Sequence, residues 1–268
     1  MLLLVDHTTL YRYENPVRGV VQSHRLTPSV YDGQRVIDWQ VTVSGGKEGG
    51  SFRDGAGDWV QSWSVPGPVA EIEVHVKGKV ETQDLAGVLR GHKEVTPPLA
   101  YLRDTTATKA DAALREIAAM VQPEDLLASC HALSREIAER IKYTPGTTVS
   151  RTTAAEALAQ GEGVCQDQAH ALIACARAGN VPARYVSGYL QSSDTGSTHE
   201  ASHAWAELYI GGLGWIGFDP ANLCCADDRY IRLGSGFDAQ DAAPIRGISR
   251  GLGEESLEVT VAVLLQEQ

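Results

Sequence analysis

GEGVCQDQAH, residues 161–170, sets a single cysteine between two glycines and a polar run of Gln, Asp, Gln and His. Just before it, Thr153-Ala-Ala-Glu156 is a capping box that opens a short helix, and Gly161 closes that helix. Just after it, Ala169, Leu172, Ile173 and Ala176 recur at helical spacing until Gly179-Asn180 and Pro182. The pattern predicts a helix from about Cys165 to Ala178, with Cys165 at its N-terminus. The unpaired N–H groups of a first helical turn favour an anion, and a cysteine attacks as the thiolate. Gly161 and Gly163 permit a tight backbone ahead of the sulfur, so that a carbonyl could approach both the thiol and those N–H groups as an oxyanion hole.

Further along, residues Ala183 to Leu190 read as a strand, Gln191 to Ser202 as a polar loop that contains His199, and His203 to Ile210 and Trp215 to Asp219 as two more strands. Gly211-Gly212-Leu213-Gly214 makes a hairpin of the last two. In the strand opened by His203, period two puts His203, Trp205, Glu207 and Tyr209 on one face and Ala204, Ala206, Leu208 and Ile210 on the other. The hairpin brings Asp219 back toward His203, close enough for a carboxylate to fix the imidazole. Singly, a helix-start cysteine, a strand-end histidine and an Asp-Pro turn each have an ordinary structural explanation. Their order, nucleophile then base then orienter, points to Cys165, His203 and Asp219 as a catalytic triad.

Toward the N-terminus the period is two. Ile37, Trp39, Val41 and Val43 alternate with polar residues, as do Ile72, Val74, Val76 and Val80. Turn signals fall at Asn15-Pro16, Asp32-Gly33, Gly45-Gly46, Asp54-Gly55 and Pro66-Gly67-Pro68, the spacing of an antiparallel β-sandwich or barrel. Beyond Thr96-Pro97-Pro98 the spacing turns helical, with Leu126, Cys130, Leu133, Ile137 and Ile141 on one stripe, and a last strand runs from Leu257 to Leu265. The expected fold class is α+β. An N-terminal antiparallel β-sandwich-like domain over residues 1–95 precedes a catalytic core over residues 96–268.

Composition excludes several functions. A formal charge of −11 over 268 residues repels phosphate backbones, so no nucleic-acid partner is expected. The apolar opening Met1–Val5 stops at Asp6 and His7, too short for a spanning helix or secretory signal, so no membrane partner is expected and the expected compartment is cytoplasmic. Five cysteines without a Cys-x-x-Cys pair argue against a zinc site or a disulfide framework, and no cofactor or metal is expected.

Four motifs carry a family resemblance: Gly163-Val-Cys165-Gln-Asp167, Pro182-Ala-Arg184-Tyr-Val-Ser-Gly188-Tyr, Ser202-His203-Ala-Trp205 and Gly214-Trp215-Ile-Gly-Phe-Asp219-Pro220. Together they resemble the bacterial transglutaminase-like cysteine-protease superfamily over roughly residues 140–250. Thr9-Leu-Tyr-Arg-Tyr13 and Arg25-Leu-Thr-Pro28 resemble the β domain that precedes this core in bacteria. The resemblance implies a papain-like, transglutaminase-like core whose catalytic cysteine starts a helix packed on an antiparallel sheet. It assigns Cys165 as nucleophile, His203 as base and then acid, and Asp219 as orienter, in agreement with the spacing.

Around the triad, Gln166 could offer an amide to an oxyanion, Trp205 could wall the cleft, and Asp167 is expected to pair with Arg184 as structural support. Gln168 stands where relatives often carry an aromatic and is expected to alter the pocket. The expected activity is attack on a peptide or protein amide through a thioacyl intermediate. Hydrolysis is the first choice and acyl transfer to an amine the alternative, since one triad serves both; a non-catalytic peptide-binding scaffold is the reading of another class. Deleting residues 1–90 is expected to expose apolar surface and lower solubility; a fully soluble, fully active remainder, assayed by centrifugation and amide turnover, would make the first domain accessory.

Overall fold

The computed structural model describes residues 1–191 and 202–266; His199 lies outside the described residues. The first part builds β1 (Leu2–His24), β2 (Gln34–Val43), β3 (Lys47–Arg53) and β4 (Trp59–Thr82). Then follow α1 (Ala112–Ala118), α2 (Leu126–Arg140), the short β5 (Lys142–Tyr143), α3 (Ala154–Gln160), β6 (Glu162–Gly163) and α4 (Cys165–Ala178). The chain continues with β7 (Ala183–Leu190), β8 (Ser202–Ile210), β9 (Gly214–Asp219), β10 (Cys224–Cys225) and β11 (Tyr230–Gly236), and closes with β12 (Ile245–Ser249) and β13 (Glu255–Leu265). The fold is mixed α+β. Among the described residues no helix is long and apolar enough to cross a membrane.

The N-terminal region is one antiparallel sheet rather than a sandwich of its own. Its backbone is the long pair β1 and β4, flanked by β2 and β3 on one side and by β12 and β13 on the other. Two expected turns, Asn15-Pro16 and Pro66-Gly67-Pro68, fall inside β1 and β4 as register shifts between Arg12 and Gly19. Gly67 permits this, because a Cβ there would lie 2.4 Å from the Val17 carbonyl oxygen. A further shift between Val36 and Asp38 throws Ile37 out of the alternation, and its side chain is exposed. The inner-face residues Ile72, Val74, Val76 and Val80 are fully buried, packed with Tyr189 of β7 and Ile231 and Leu233 of β11. The second layer over this sheet comes from the other half of the chain.

That half is a five-stranded antiparallel sheet in the order β10-β9-β8-β7-β11, backed by helices. α4 is buried on every side from Asp167 to Arg177, and its run of alanines lets α1, α2, α3 and β8 close around it. Residues 245–265, expected within the 96–268 core, return to the first sheet, where β12 and β13 both pair with β1.

The two halves are joined by buried charges. Arg232 of β11 donates to Asp58 (2.6 Å), ahead of β4, and to Glu207 of β8 (2.8 Å), while Arg184 of β7 donates to the same Glu207 (2.7 Å). Asp58 also accepts from the hydroxyls of Ser29 and Ser235 and from the Ser235 N–H. Burial would push the Glu207 carboxyl up, but the charges and hydrogen bonds of Arg232 and Arg184 outweigh it and hold it down to about 2. Breaking a buried pair strands its partner's charge, so Asp58→Ala should destabilise the protein by about 3–5 kcal/mol in urea unfolding. Glu207 is depressed in the folded state, so its contribution is complete above its ordinary value of 4.5 and is lost as pH falls through about 2. Acid titration of unfolding free energy should show that loss in the native chain and not in Glu207→Gln.

Candidate active site

Cys165 is the first residue of α4 and is half-buried, whereas Cys130 and Cys175 are fully enclosed in the helical core. The turn that presents it depends on both expected glycines. Gly161 caps α3 with φ of +73°, a conformation costly for any side chain. Gly163 touches Asp167 so closely that a Cβ would lie 2.8 Å from its carboxylate oxygen. Asp167 in turn accepts from the Val164 N–H (2.9 Å) and the Thr148 hydroxyl (2.6 Å), which pins the first turn of α4. The N–H groups of Cys165 and Gln166 have no acceptor within the helix, as first-turn amides do not.

His203 lies near the start of β8, buried, with Nε2 2.7 Å from Oδ2 of Asp219 at the end of β9. The β8–β9 ladder pairs Ala206 with Phe218, which puts Asp219 diagonally beside His203 rather than opposite it. Burial alone would push the imidazole pKa down. Hydrogen bonds to Asp219 and Cys165, and the charges of both, push it up to about 10. The structure thus places His203 of the expected triad in hydrogen-bond contact with Asp219, and Cys165, at the start of α4, acts on the same imidazole.

Asp219 is held by more donors than the sequence suggested. Its Oδ2 accepts from His203, from the Asn222 amide (2.7 Å) and from the Tyr230 hydroxyl (2.7 Å), and its Oδ1 accepts from the Ala221 N–H (2.9 Å). Burial would raise its pKa, but the hydrogen bond and charge of His203, with the hydrogen bonds of Asn222 and Tyr230, keep the carboxyl below its usual range. Cys224 stands behind this group, its sulfur 3.3 Å from the Tyr230 hydroxyl. Asn222 is three residues beyond Asp219 and could have been suspected from that spacing. Tyr230 gives no local signal, since β11 reaches the site only by pairing with β7.

The other expected residues have different roles. Trp205 is buried and stacks beside His203 (ring centroids 6.4 Å apart), with its edge contacts to Tyr230 at 5.3 Å, so it supports the histidine from inside the protein. Space for its ring exists because Gly188 and Gly217 flank it, and a Cβ on Gly188 would lie 2.6 Å from the indole. The Gln166 side chain reaches the Ser150 carbonyl (3.3 Å) instead of an oxyanion position. Arg184 does not pair with Asp167; it is bound to Glu207 and Glu94 and lies over the Trp215 ring. Gln168 is buried and donates to the Ile141 carbonyl (2.7 Å), so it ties α4 to α2. His170 is no rival base, because its Nε2 accepts from the Ala239 N–H and burial pushes its pKa down to about 4.

The raised pKa of His203 has a measurable sign. Stabilisation from its charged form is complete below its ordinary value of 6.5 and is lost as pH rises through about 10. The difference in unfolding free energy between the native chain and His203→Gln should shrink over that interval, measured by urea titration at successive pH values.

Residues 113–220 match the family model of the transglutaminase-like superfamily, and residues 3–81 match the bacterial transglutaminase-like N-terminal region. Protein ML0607 of Mycobacterium leprae is 32% identical over 97% of this chain and 97% of its own length. Rv2569c of Mycobacterium tuberculosis is 30% identical over 97% of this chain and 91% of its own. Among solved structures, the "Putative Cysteine Protease from Cytophaga hutchinsonii" superposes with a TM-score of 0.74 at 22% identity, covering 100% of this chain and 92% of that one, and so shares the fold. With both of its parts matched and full-length relatives at this identity, the chain belongs to the bacterial transglutaminase-like superfamily.

Proposed function

We propose that the protein is a cysteine-nucleophile enzyme that cleaves amide bonds of a peptide or protein substrate, with Cys165, His203 and Asp219 as its triad. One observation carries this reading: the 2.7 Å bond from His203 Nε2 to Asp219, which leaves Nδ1 as the ring nitrogen for the Cys165 thiol. Asp219 fixes the tautomer and favours the imidazolium. The Cys165 sulfur attacks the amide carbonyl, and the oxyanion that forms is met by the free first-turn N–H groups of α4. His203 gives its proton to the leaving amine, and a thioester remains on Cys165. Water then attacks, with His203 taking its proton, and the acid leaves with the thiol restored.

The same thioester passed to an amine would make the protein a transamidase. Release of free acid against incorporation of a labelled amine into a peptide separates the two, and hydrolysis is the expected product. His203→Ala should lower amide turnover by about 10²–10⁴-fold, the usual contribution of a positioned acid–base group. Iodoacetamide labelling against pH, with mass spectrometry to locate the label, tests the pair without a known substrate. Cys165 should label faster than Cys224 and Cys225, and its advantage should vanish in His203→Ala. Equal rates at the three cysteines, unchanged by the substitution, would leave a scaffold that keeps the fold without turnover.

A further inference from the structure

The two edges of the N-terminal sheet are built differently. On one side, β2 and β3 are each interrupted by a register shift, between Val36 and Asp38 and between Glu48 and Ser51. That side also carries Arg35, Asp38, Lys47, Glu48 and the pair Gly49-Gly50, the devices that keep an edge strand from pairing with another chain. On the other side β13 runs 11 residues as ESLEVTVAVLL. It pairs with β1 from Leu3↔Leu265 to Tyr13↔Glu255 without a register shift. It has no Lys, Arg, Pro or Gly, and Leu257, Val259, Leu264 and Leu265 are 38–62% exposed.

The free edge has a defined polarity. Gln266 N–H donates to the Leu2 carbonyl, and Glu14 N–H donates to the Glu254 carbonyl, so the even-numbered residues at both ends of β13 face β1. By the alternation of an antiparallel ladder, the N–H and C=O groups of Leu257, Val259, Val261 and Val263 point away from the sheet. Among the described residues β13 pairs with no strand other than β1.

We propose that β13 is a self-association edge, pairing antiparallel with β13 of a second copy of this chain about a two-fold axis through Thr260. The strand is complementary to itself in this register. All eleven residues pair, and the outward-facing groups form hydrogen-bonded pairs such as Val259 with Val261 of the second copy. On one face Leu257 meets Val263 and Val259 meets Val261, an apolar row continuous with the inner face of the sheet. The acidic half of each strand, Glu255 and Glu258, meets Leu265 and Ala262 of the other, so that no carboxylates oppose one another. A shift of the axis to residue 258 would set Glu258 against Glu258 and leave the C-terminal residues unpaired. The charge pattern thus selects a second copy in this register over a displaced one.

Sedimentation of the full chain across the micromolar range is expected to show a dimer, and Val259→Lys a monomer with an unchanged circular dichroism spectrum and unfolding midpoint. Thr260→Cys reads the register directly. A residue on the axis meets its own copy as a non-hydrogen-bonded pair with Cα atoms about 4.5 Å apart, within the span of a disulfide. Oxidised Thr260→Cys should therefore run as a covalent dimer linked at 260 by mass spectrometry, and Ser256→Cys, which faces Leu264, should not link to itself. A native chain that stays monomeric throughout the range, or a dimer that survives in folded Val259→Lys, would overturn the proposal. Should Val259→Lys fail to fold, a dimer of Thr260→Cys that gives no 260–260 link would overturn it equally.

Discussion

A guanidinium buried between two carboxylates ties this molecule together. Arg232 spans from Asp58 in the first half of the chain to Glu207 in the second, and Glu207 is shared with Arg184. Taking such charges out of water costs several kcal/mol per ion, so the cluster persists only where every charge meets an opposite one with good geometry. That requirement sets registers. Arg184 and Glu207 face one another across the β7–β8 ladder, and Arg232 reaches both only if β11 holds its place beside β7. A one-residue slip would turn a charge into the apolar layer on the other face.

The same face carries the site. Along β8 the side chains run Glu207, Trp205, His203, so the ion cluster, the indole and the imidazole form one packed row. Trp205 fills the space that Gly188 and Gly217 leave on the adjoining strands, and Tyr230, at the head of the strand that carries Arg232, reaches Asp219. The turn between β3 and β4 supplies Asp58 to this row. It bears on the site through Arg232 and the strands that Arg232 aligns.

Much of this was legible in the sequence because it is local. The capping box at Thr153, the left-handed Gly161, the start of α4 at Cys165 and the two faces of β8 all follow from spacing within a few residues. What was not legible depends on partners far away in the chain. Arg184 pairs not with the expected Asp167 but with Glu94, in a loop, and Glu207, across a strand. Glu207 reads as a polar residue on an alternating strand, and only the convergence of two arginines makes it a buried one. The expected sandwich failed for the same reason, since its second layer comes from β7 and β11. Proline and glycine signals at Asn15-Pro16 and Pro66-Gly67-Pro68 marked irregularities correctly, but those irregularities bend two long paired strands instead of ending them.

The placement of β12 and β13 against β1 sets a timetable for biosynthesis. β1 leaves the ribosome long before β12 and β13, its neighbours on one of its sides. At ordinary elongation rates that side stays open for on the order of ten seconds or more. During that time the nascent chain offers an unpaired, largely apolar edge to whatever is near. Final closure of the sheet must also bring together residues from opposite ends of the sequence, a contact pattern that slows folding. A chaperone that shields β1 until β13 emerges would act on the most vulnerable stage in the life of this fold.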